Sequence, residues 1–281
     1  MGSIAVPRNL LPSRRLRNTC LGLCLVLLSV LLLVLTGVLS VNPLDALPDS
    51  SNLLRLAREI FPPSLKVLWK ENLASSLLET VSMAFLGSLG GGLIALVLAF
   101  FASRNVSPHP VIRLAVRSLL ALERSTPNFV VLLVLLVALG IGPFAGMLSL
   151  LVGSIGMFGK LFADAIEQVD RDILESIQSV GSTRLQQIRY AILPQVAPSF
   201  IANWFYAFDV NLRAAIALGV FGGGGIGFQL HVASRVLRYH DVLAYSLLIV
   251  VLIKGMEKIS DFVRRQILGP SAAHQLRKGY G

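Results

Sequence analysis

Asp209 and Arg213 stand four residues apart inside an otherwise apolar run, with Tyr206 on the same arc. Four residues is about one helical turn, so the carboxylate and the guanidinium share a face. In hydrocarbon an ionisable side chain costs ~2.5–3.5 kcal/mol on insertion scales, which marks both as candidates for work on a polar solute. On one reading Arg213 offers positive charge to an oxyanion moving along this face. On the other, Asp209 and Arg213 form an internal ion pair that fixes helix packing. Downstream lies Gly222-Gly223-Gly224-Gly225-Ile226-Gly227. Free backbone N–H groups in such a run can meet an anion, and glycine equally permits a hinge or a tight turn. Arg124 and Asn128, on either side of Pro127, are further candidates for the wall of a solute path, Arg124 reading equally as a partner of Glu123. His231, Arg235 and His240 form a basic rim that reads as docking surface or as solvated charge.

Chemistry of turnover is missing from the same sequence. A phosphate-binding ATPase loop needs Gly, four residues, then Gly-Lys-Ser/Thr; at Gly159-Lys160 a serine, Ser154, replaces the first glycine and Leu161 follows the lysine. No zinc-protease helix, nucleophile elbow or clustered His and Cys is present, so no metal site and no cofactor of the chain's own is expected. Cys20 and Cys24, one turn apart, read as small packing residues.

The elements that must position these residues are membrane helices. The chain of 281 residues is 54% hydrophobic and 14% charged, with mean hydropathy +0.74, against about 25% charged residues in soluble domains. Its apolar runs are continuous, which selects helices over barrel strands. At about 20 residues per span, six spans are expected, near 19–41, 77–102, 119–141, 144–162, 197–219 and 241–263. The third is irregular at its start because of Glu123, Arg124 and Pro127. Gly87 and Gly91 form a small-xxx-small face for close helix approach. Residues 1–76 hold a basic tail, the first span and an external segment broken by prolines; 77–268 form the core; 269–281 are a second tail. A cleaved signal peptide is a poorer reading of the first run, which is too long for one.

The net charge of +10 is read as orientation charge for a lipid bilayer, with no nucleic-acid motif. With the N-terminus in the cytoplasm, fourteen Lys and Arg flank the spans on the cytoplasmic side and six on the other. That bias puts both termini inside. It also leaves ESIQSVGSTRLQQIRYAILPQVAP, residues 175–198, in the cytoplasm between spans four and five.

This polar stretch reads as two short helices about a glycine. Asp172 and Glu175 form a capping-box pattern that starts a helix near Ile173. Ile173, Leu174, Ile177 and Val180 line one face, and Gly181 sits where a helix end turns left-handed. Thr183 and Gln186 repeat the capping pattern. Leu185, Ile188 and Ile192 line the second helix, which Pro194 ends or kinks. Such an elbow, joined to two spans, suits transmission of force from a cytoplasmic partner.

The elbow carries a family resemblance. Glu175-Ser176-Ile177, then Gly181, then Leu193-Pro194 resembles the Glu-Ala-Ala, three residues, Gly, later Leu-Pro pattern of permease subunits of binding-protein-dependent ABC importers. Ser176 and Ile177 replace the two alanines. DAIEQVDRDILESIQSVGSTRLQQIRYAILPQVAPSF, NLRAAIALGVFGGGGIGFQL and RSTPNFVVLLVLLVALGIGP are similar to phosphonate-type permeases, with Asn128 where those have Glu. The resemblance runs over about 77–268. It implies an all-α polytopic type I permease in a bacterial inner membrane, with residues 172–194 as coupling helices that dock on an ATPase. Asp172, Glu175, Ser176, Gly181, Arg184, Leu193 and Pro194 would carry that contact. It further implies two copies of the ATPase, which hold ATP and magnesium, an extracytoplasmic binding protein, and a second copy of this chain. The cargo would be phosphonate, phosphite or a related oxyanion. A methionine-type permease is the alternative within the class. A self-contained ion-coupled carrier, which needs polar sites in several spans, and an intramembrane enzyme are the alternatives outside it.

Overall fold

The computed structural model describes Leu25, Leu28 and Ser29, residues 58–70 and residues 72–279, with side chains to residue 266 other than that of Arg171. The chain divides into two units, Met1–Arg58 and Glu59–Gly281. The expected first span falls in the former, outside the described residues apart from three helical positions. The second unit is all helix, with no strand among the described residues.

α1 (Asn72–Ala102) shows how a membrane bundle distributes its side chains. It buries Thr80, Ala84, Gly87, Ser88, Gly91, Ala95 and Ala99, while Leu78, Phe85, Leu86, Leu93 and Val97 point outward. A water-soluble helix does the reverse. Lipid tails are as apolar as leucine, so helices associate through close van der Waals approach, which small residues allow. α4 (Pro143–Glu167) supplies the matching stripe of Gly146, Ser149, Ser154, Gly156, Gly159 and Ala163. A Cβ on Gly87 would lie 2.8 Å from Leu150 Cβ, and one on Gly91 would run into Ser154. The expected small-xxx-small face is therefore the α1–α4 contact.

α2 (Pro110–Ser125) and α3 (Asn128–Leu139) cover the third span, whose expected irregularity is an 85° bend between them. His109 caps α2 by accepting from the Val111 N–H. The bend falls at Thr126-Pro127, where the proline ring restricts the residue before it to extended backbone, and Thr126 has φ −92° and ψ 117°. Together with this bent pair, Asn72–Ala102, Pro143–Glu167 and Arg184–Gly223 are long and apolar enough to cross a membrane. The expected sixth span lies within α9 (Tyr239–Gly279).

α5 (Arg171–Ser179) and α6 (Arg184–Gln187) follow α4, and α7 (Leu193–Leu218) follows a π-turn at Ile188–Ile192. Of the two outcomes expected at Pro194, an end or a kink, the helix does not end there: residues 184–223 run on, with a π-turn just before the proline. The wider turn before it absorbs the missing proline N–H, and Pro194 sits in the first turn of α7, where that donor is not needed. A second π-turn, Gly219–Gly223, leads to α8 (Gly225–Arg235), a short helix between the expected fifth and sixth spans.

Three apolar clusters stack along the bundle. Phe158, Phe162 and Phe200 fill the elbow end, with ring centroids 5.1 and 4.4 Å apart. Leu132, Leu150, Phe208 and Leu212 fill the middle, and Val67, Ile216, Ile226 and Tyr245 the opposite end. One polar joint crosses this core. Asn211 Nδ2, buried in α7, donates to Ser88 Oγ on α1 and to Ser154 Oγ on α4, each at 2.7 Å. Interhelical hydrogen bonds in membranes average about 0.6 kcal/mol and reach ~1.7. Asn211→Ala is therefore expected to lower stability in detergent by ~1–2 kcal/mol, read from unfolding midpoints; a loss near zero would show that the two hydroxyls find other partners.

Candidate functional site

The elbow is built from local chemistry. Asp170, not Asp172, caps α5: its Oδ1 accepts from the Asp172 N–H at 3.0 Å. The helix therefore starts two residues earlier than expected, and Asp172 is a first-turn residue whose charge complements the positive helix end. Ser176 Oγ donates to the Asp172 carbonyl at 2.7 Å, and Glu175 is exposed. Gly181 has φ +79°, the left-handed geometry the sequence implied, and its N–H donates to the Gln178 carbonyl. The capping box of Thr183 and Gln186 is present in both directions, and Arg184 opens α6 behind it. Leu193 and Pro194 follow as the start of α7.

Packing splits the expected apolar faces. Leu174, Ile177 and Ile188 rest on the elbow-end core, and Ile192 is buried in it. Val180 and Leu185, which the helical period assigns to the same faces, are 82% and 75% exposed. They flank Gly181 as an exposed apolar pair on a largely polar projection, with Ile173 partly exposed on α5 beside them.

Sequence reasoning missed what anchors the elbow. Glu167, at the end of α4, accepts from Arg117 Nη2 at 2.6 Å and from the Arg104 backbone N–H at 2.7 Å. Asn105 Nδ2 donates to the Ile166 carbonyl at 3.2 Å. These bonds tie the α1–α2 turn to the root of the projection three residues before Asp170. The available signal was a glutamate closing an apolar helix, with Arg104, Arg113 and Arg117 clustered in the preceding segment.

The charged face of α7 is real, but its partners lie elsewhere than expected. Asp209 Oδ1 accepts from Ser260 Oγ at 2.7 Å, and its Oδ2 lies 3.4 Å from Arg264 Nη2. Arg213 reaches Glu257 on α9 at 3.6 Å; toward Asp209 it finds only the backbone carbonyl, at 3.5 Å. Lys254 closes the series on Glu257 at 2.8 Å. The intrahelical Asp209–Arg213 pair, one of the two readings of this face, is replaced by two cross-links from α7 to α9. Intrahelical pairing loses because α9 brings three charged groups and a hydroxyl to the same face. Tyr206 is half-buried one turn earlier on α7.

Arg213→Ala should leave assembly intact, because its side chain is 49% exposed and Lys254 still neutralises Glu257. Exposed pairs contribute less than about 1 kcal/mol. If this face lines the solute path, uptake of an oxyanion falls several-fold while the melting temperature moves by no more than a few degrees. Unchanged uptake would remove Arg213 from the path.

The glycine run is a tight corner. Gly222, Gly224 and Gly225 have φ of +105°, +83° and +70°. The Gly225 N–H donates to Glu79 Oε2 at 3.1 Å and the Ile226 N–H to Thr80 Oγ1 at 2.9 Å. Glu79 and Thr80 thus occupy two of the run's backbone donors, one with a carboxylate and one with a hydroxyl. A Cβ on Gly223 would lie 2.9 Å from the Leu218 carbonyl oxygen, one on Gly224 2.9 Å from Pro143 N, and one on Gly227 would run into the Ile216 carbonyl.

Arg124 and Asn128 stand on either side of the 85° bend. The Asn128 carbonyl accepts from Ser149 Oγ at 2.6 Å and its amide lies over Gly153. At the opposite end of the bundle Lys70 bonds Asp241 at 2.9 Å and sits over the Tyr245 ring. Burial pulls the Lys70 ammonium down, but Asp241 and Tyr245 outweigh it and hold its pKa above the usual lysine value. His240 Nδ1 lies 2.8 Å from the Pro62 carbonyl, and Arg235 Nε 3.4 Å from His231 Nε2.

An all-helical bundle with an exposed polar elbow between two long apolar helices is the frame of a transport-system permease. The chain belongs to the family of binding-protein-dependent transport system inner membrane components, which it matches over residues 91–267. It is 38% identical over 235 residues to the phosphate-import permease protein PhnE of Mycolicibacterium smegmatis, covering 84% of this chain and 44% of that protein, so it spans less than half of that relative's length. It is 35% identical over 222 residues to the phosphite transport system permease protein PtxC of Stutzerimonas stutzeri, covering 79% of each. Its fold is similar to a chain of the inward-facing MetNI methionine ABC transporter, at 21% identity and TM-score 0.62, covering 73% of this chain and 99% of that one. The type I importer permease fold expected from the sequence is thus the fold observed.

Proposed function

We propose that this chain is the permease of an ATP-driven importer for phosphonate, phosphite or a related phosphorus oxyanion, coupled through residues 172–194 to a separate ATPase. The observation that carries the coupling is the exposure of Val180 and Leu185 around left-handed Gly181. Two large apolar side chains held in water on a polar projection stabilise nothing in the chain itself; buried in a partner's groove each is worth ~1.5–3 kcal/mol. The anchor at Glu167 makes the projection stiff enough to pass that partner's movement into α4 and α7. The cargo class rests on the relatives named above, and Arg213 is the charge on α7 suited to it.

The rest of the assembly follows the same reading. Positive charge places both termini and the elbow in the cytoplasm. Two copies of the chain enclose the path, two ATPase subunits hold ATP and magnesium, and a binding protein delivers solute to the other side. Residues 1–76 and 269–281 flank a core of 77–268.

The test is purification of the complex with its companion subunits from the native membrane. Cysteines at Val180 and Leu185 should cross-link to a nucleotide-hydrolysing subunit. The mass should fit two copies each of permease and ATPase, and binding protein loaded with phosphonate or phosphite should raise ATP hydrolysis. Cross-links confined to lipid or to this chain would end the coupling proposal; stimulation by methionine alone would end the cargo proposal.

A further inference from the structure

A cavity of about 260 Å³ opens beside the elbow end of the bundle, between α2 and α4. Its rim is cationic: Arg117 and Arg124 on α2, and Lys160 on α4. Its floor is Ala102, Leu120, Gly159 and Ala163. Arg117, Leu120, Ala121 and Arg124 recur at the spacing of one helix face, so α2 presents charge and apolar floor together. Arg117 is already engaged, donating to Glu167 and to the Ala102 carbonyl at 2.8 Å. Arg124 and Lys160 have no ion pair among the described residues. Glu123, beside Arg124 in sequence, packs its carboxyl against Gly156 next to the Arg124 stem and does not line the cavity. Asp164 is the one carboxylate that lines the cavity, a turn beyond Lys160.

We propose that this cavity binds a phosphate group, with Arg124 and Lys160 as its ligands and Arg117, held by Glu167, as the fixed wall. Basic pockets between membrane helices at the headgroup level take anionic lipid phosphates, and guanidinium matches phosphate oxygens two at a time. The apolar floor fits the glycerol and upper chain of a phospholipid, which makes an anionic lipid the first source and inorganic phosphate the second. The cavity touches the α2 face whose Arg117 bonds Glu167, so a bound phosphate would stiffen the root of the elbow. Nothing in this depends on which solute the importer carries.

The experiment uses the full chain in nanodiscs of phosphatidylcholine with a minor share of phosphatidylglycerol, released into a native mass spectrometer to count retained phosphatidylglycerol. A second arm titrates inorganic phosphate into phosphatidylcholine-only discs and follows the phosphorus resonance. Arg124→Gln and Lys160→Gln should each lower retention about fivefold. Ala121→Phe, which fills the cavity without removing charge, should also lower it, and Asp164→Asn should raise it. Lys66→Gln, exposed at the opposite end, should change nothing. Sensitivity of the lipid arm identifies the lipid source; sensitivity of the phosphate arm alone identifies the free anion. Equal retention and equal phosphate binding across wild type and all cavity variants would overturn the site, as would a loss in Lys66→Gln as large as that in Lys160→Gln.

Discussion

Gly181→Val is expected to leave the spans inserted and to cut ATP-driven uptake by about five- to thirtyfold. Gly181 has φ +79° and open space where a side chain would go. The cost of valine is therefore backbone conformation alone, about 1–2 kcal/mol for an L-residue held left-handed. A cost of 1.4 kcal/mol is a tenfold change in the population of the native elbow. Because that conformation sets the angle between α5 and α6, it also sets the placement of Val180 and Leu185. Gly181→Asn, which tolerates the left-handed region, should retain most uptake. Membrane insertion by fractionation, ATPase co-purification and uptake in vesicles separate the outcomes. Unchanged co-purification and uptake in the valine variant would refute the coupling role; loss of insertion would place Gly181 in folding instead.

Gly227→Val is expected to be the more damaging change and to act on the whole bundle. Here the obstacle is packing, since a Cβ would meet the Ile216 carbonyl oxygen and lie 3.2 Å from Gly219 Cα. Both are backbone atoms that cannot rotate away. Separating α7 from α8 to admit the side chain would also pull on the Gly225 and Ile226 N–H bonds to Glu79 and Thr80. Overpacking of this kind costs ~3 kcal/mol, enough to remove most folded protein from detergent extracts. Size-exclusion recovery and unfolding midpoint read it directly. Were the run an anion contact, the variant would fold normally and lose affinity for the oxyanion alone, and that result would reverse the packing interpretation.

Much of the elbow was legible residue by residue. Gly181 and the Thr183–Gln186 box depend on neighbours within a turn, so composition and spacing sufficed. The start of α5 was misplaced by two residues because Asp170 and Asp172 offer equivalent carboxylates, and only the backbone path decides which one faces the free N–H groups. The bend in the third span was visible as an irregularity at Pro127, but its 85° angle depends on where α4 leaves room. Asp209 and Arg213 were visible as charges in a span, yet their partners Ser260, Arg264 and Glu257 are 51, 55 and 44 residues distant in sequence, beyond the reach of helical periodicity. The Asn211 joint was missed because a lone asparagine in an apolar run has no local sign of two serines on other helices.

Sequence alone determined that this is a helical membrane protein, where most of its spans lie and that a polar elbow with a left-handed glycine separates two of them. These follow from hydropathy, capping and backbone sterics, all of which act over a few residues. Tertiary structure decided which faces of those helices meet, which apolar elbow residues stay in water, which charges pair and where a cationic cavity opens. Those outcomes depend on close approach between segments far apart in the chain, and small residues permit that approach without dictating which partner makes it.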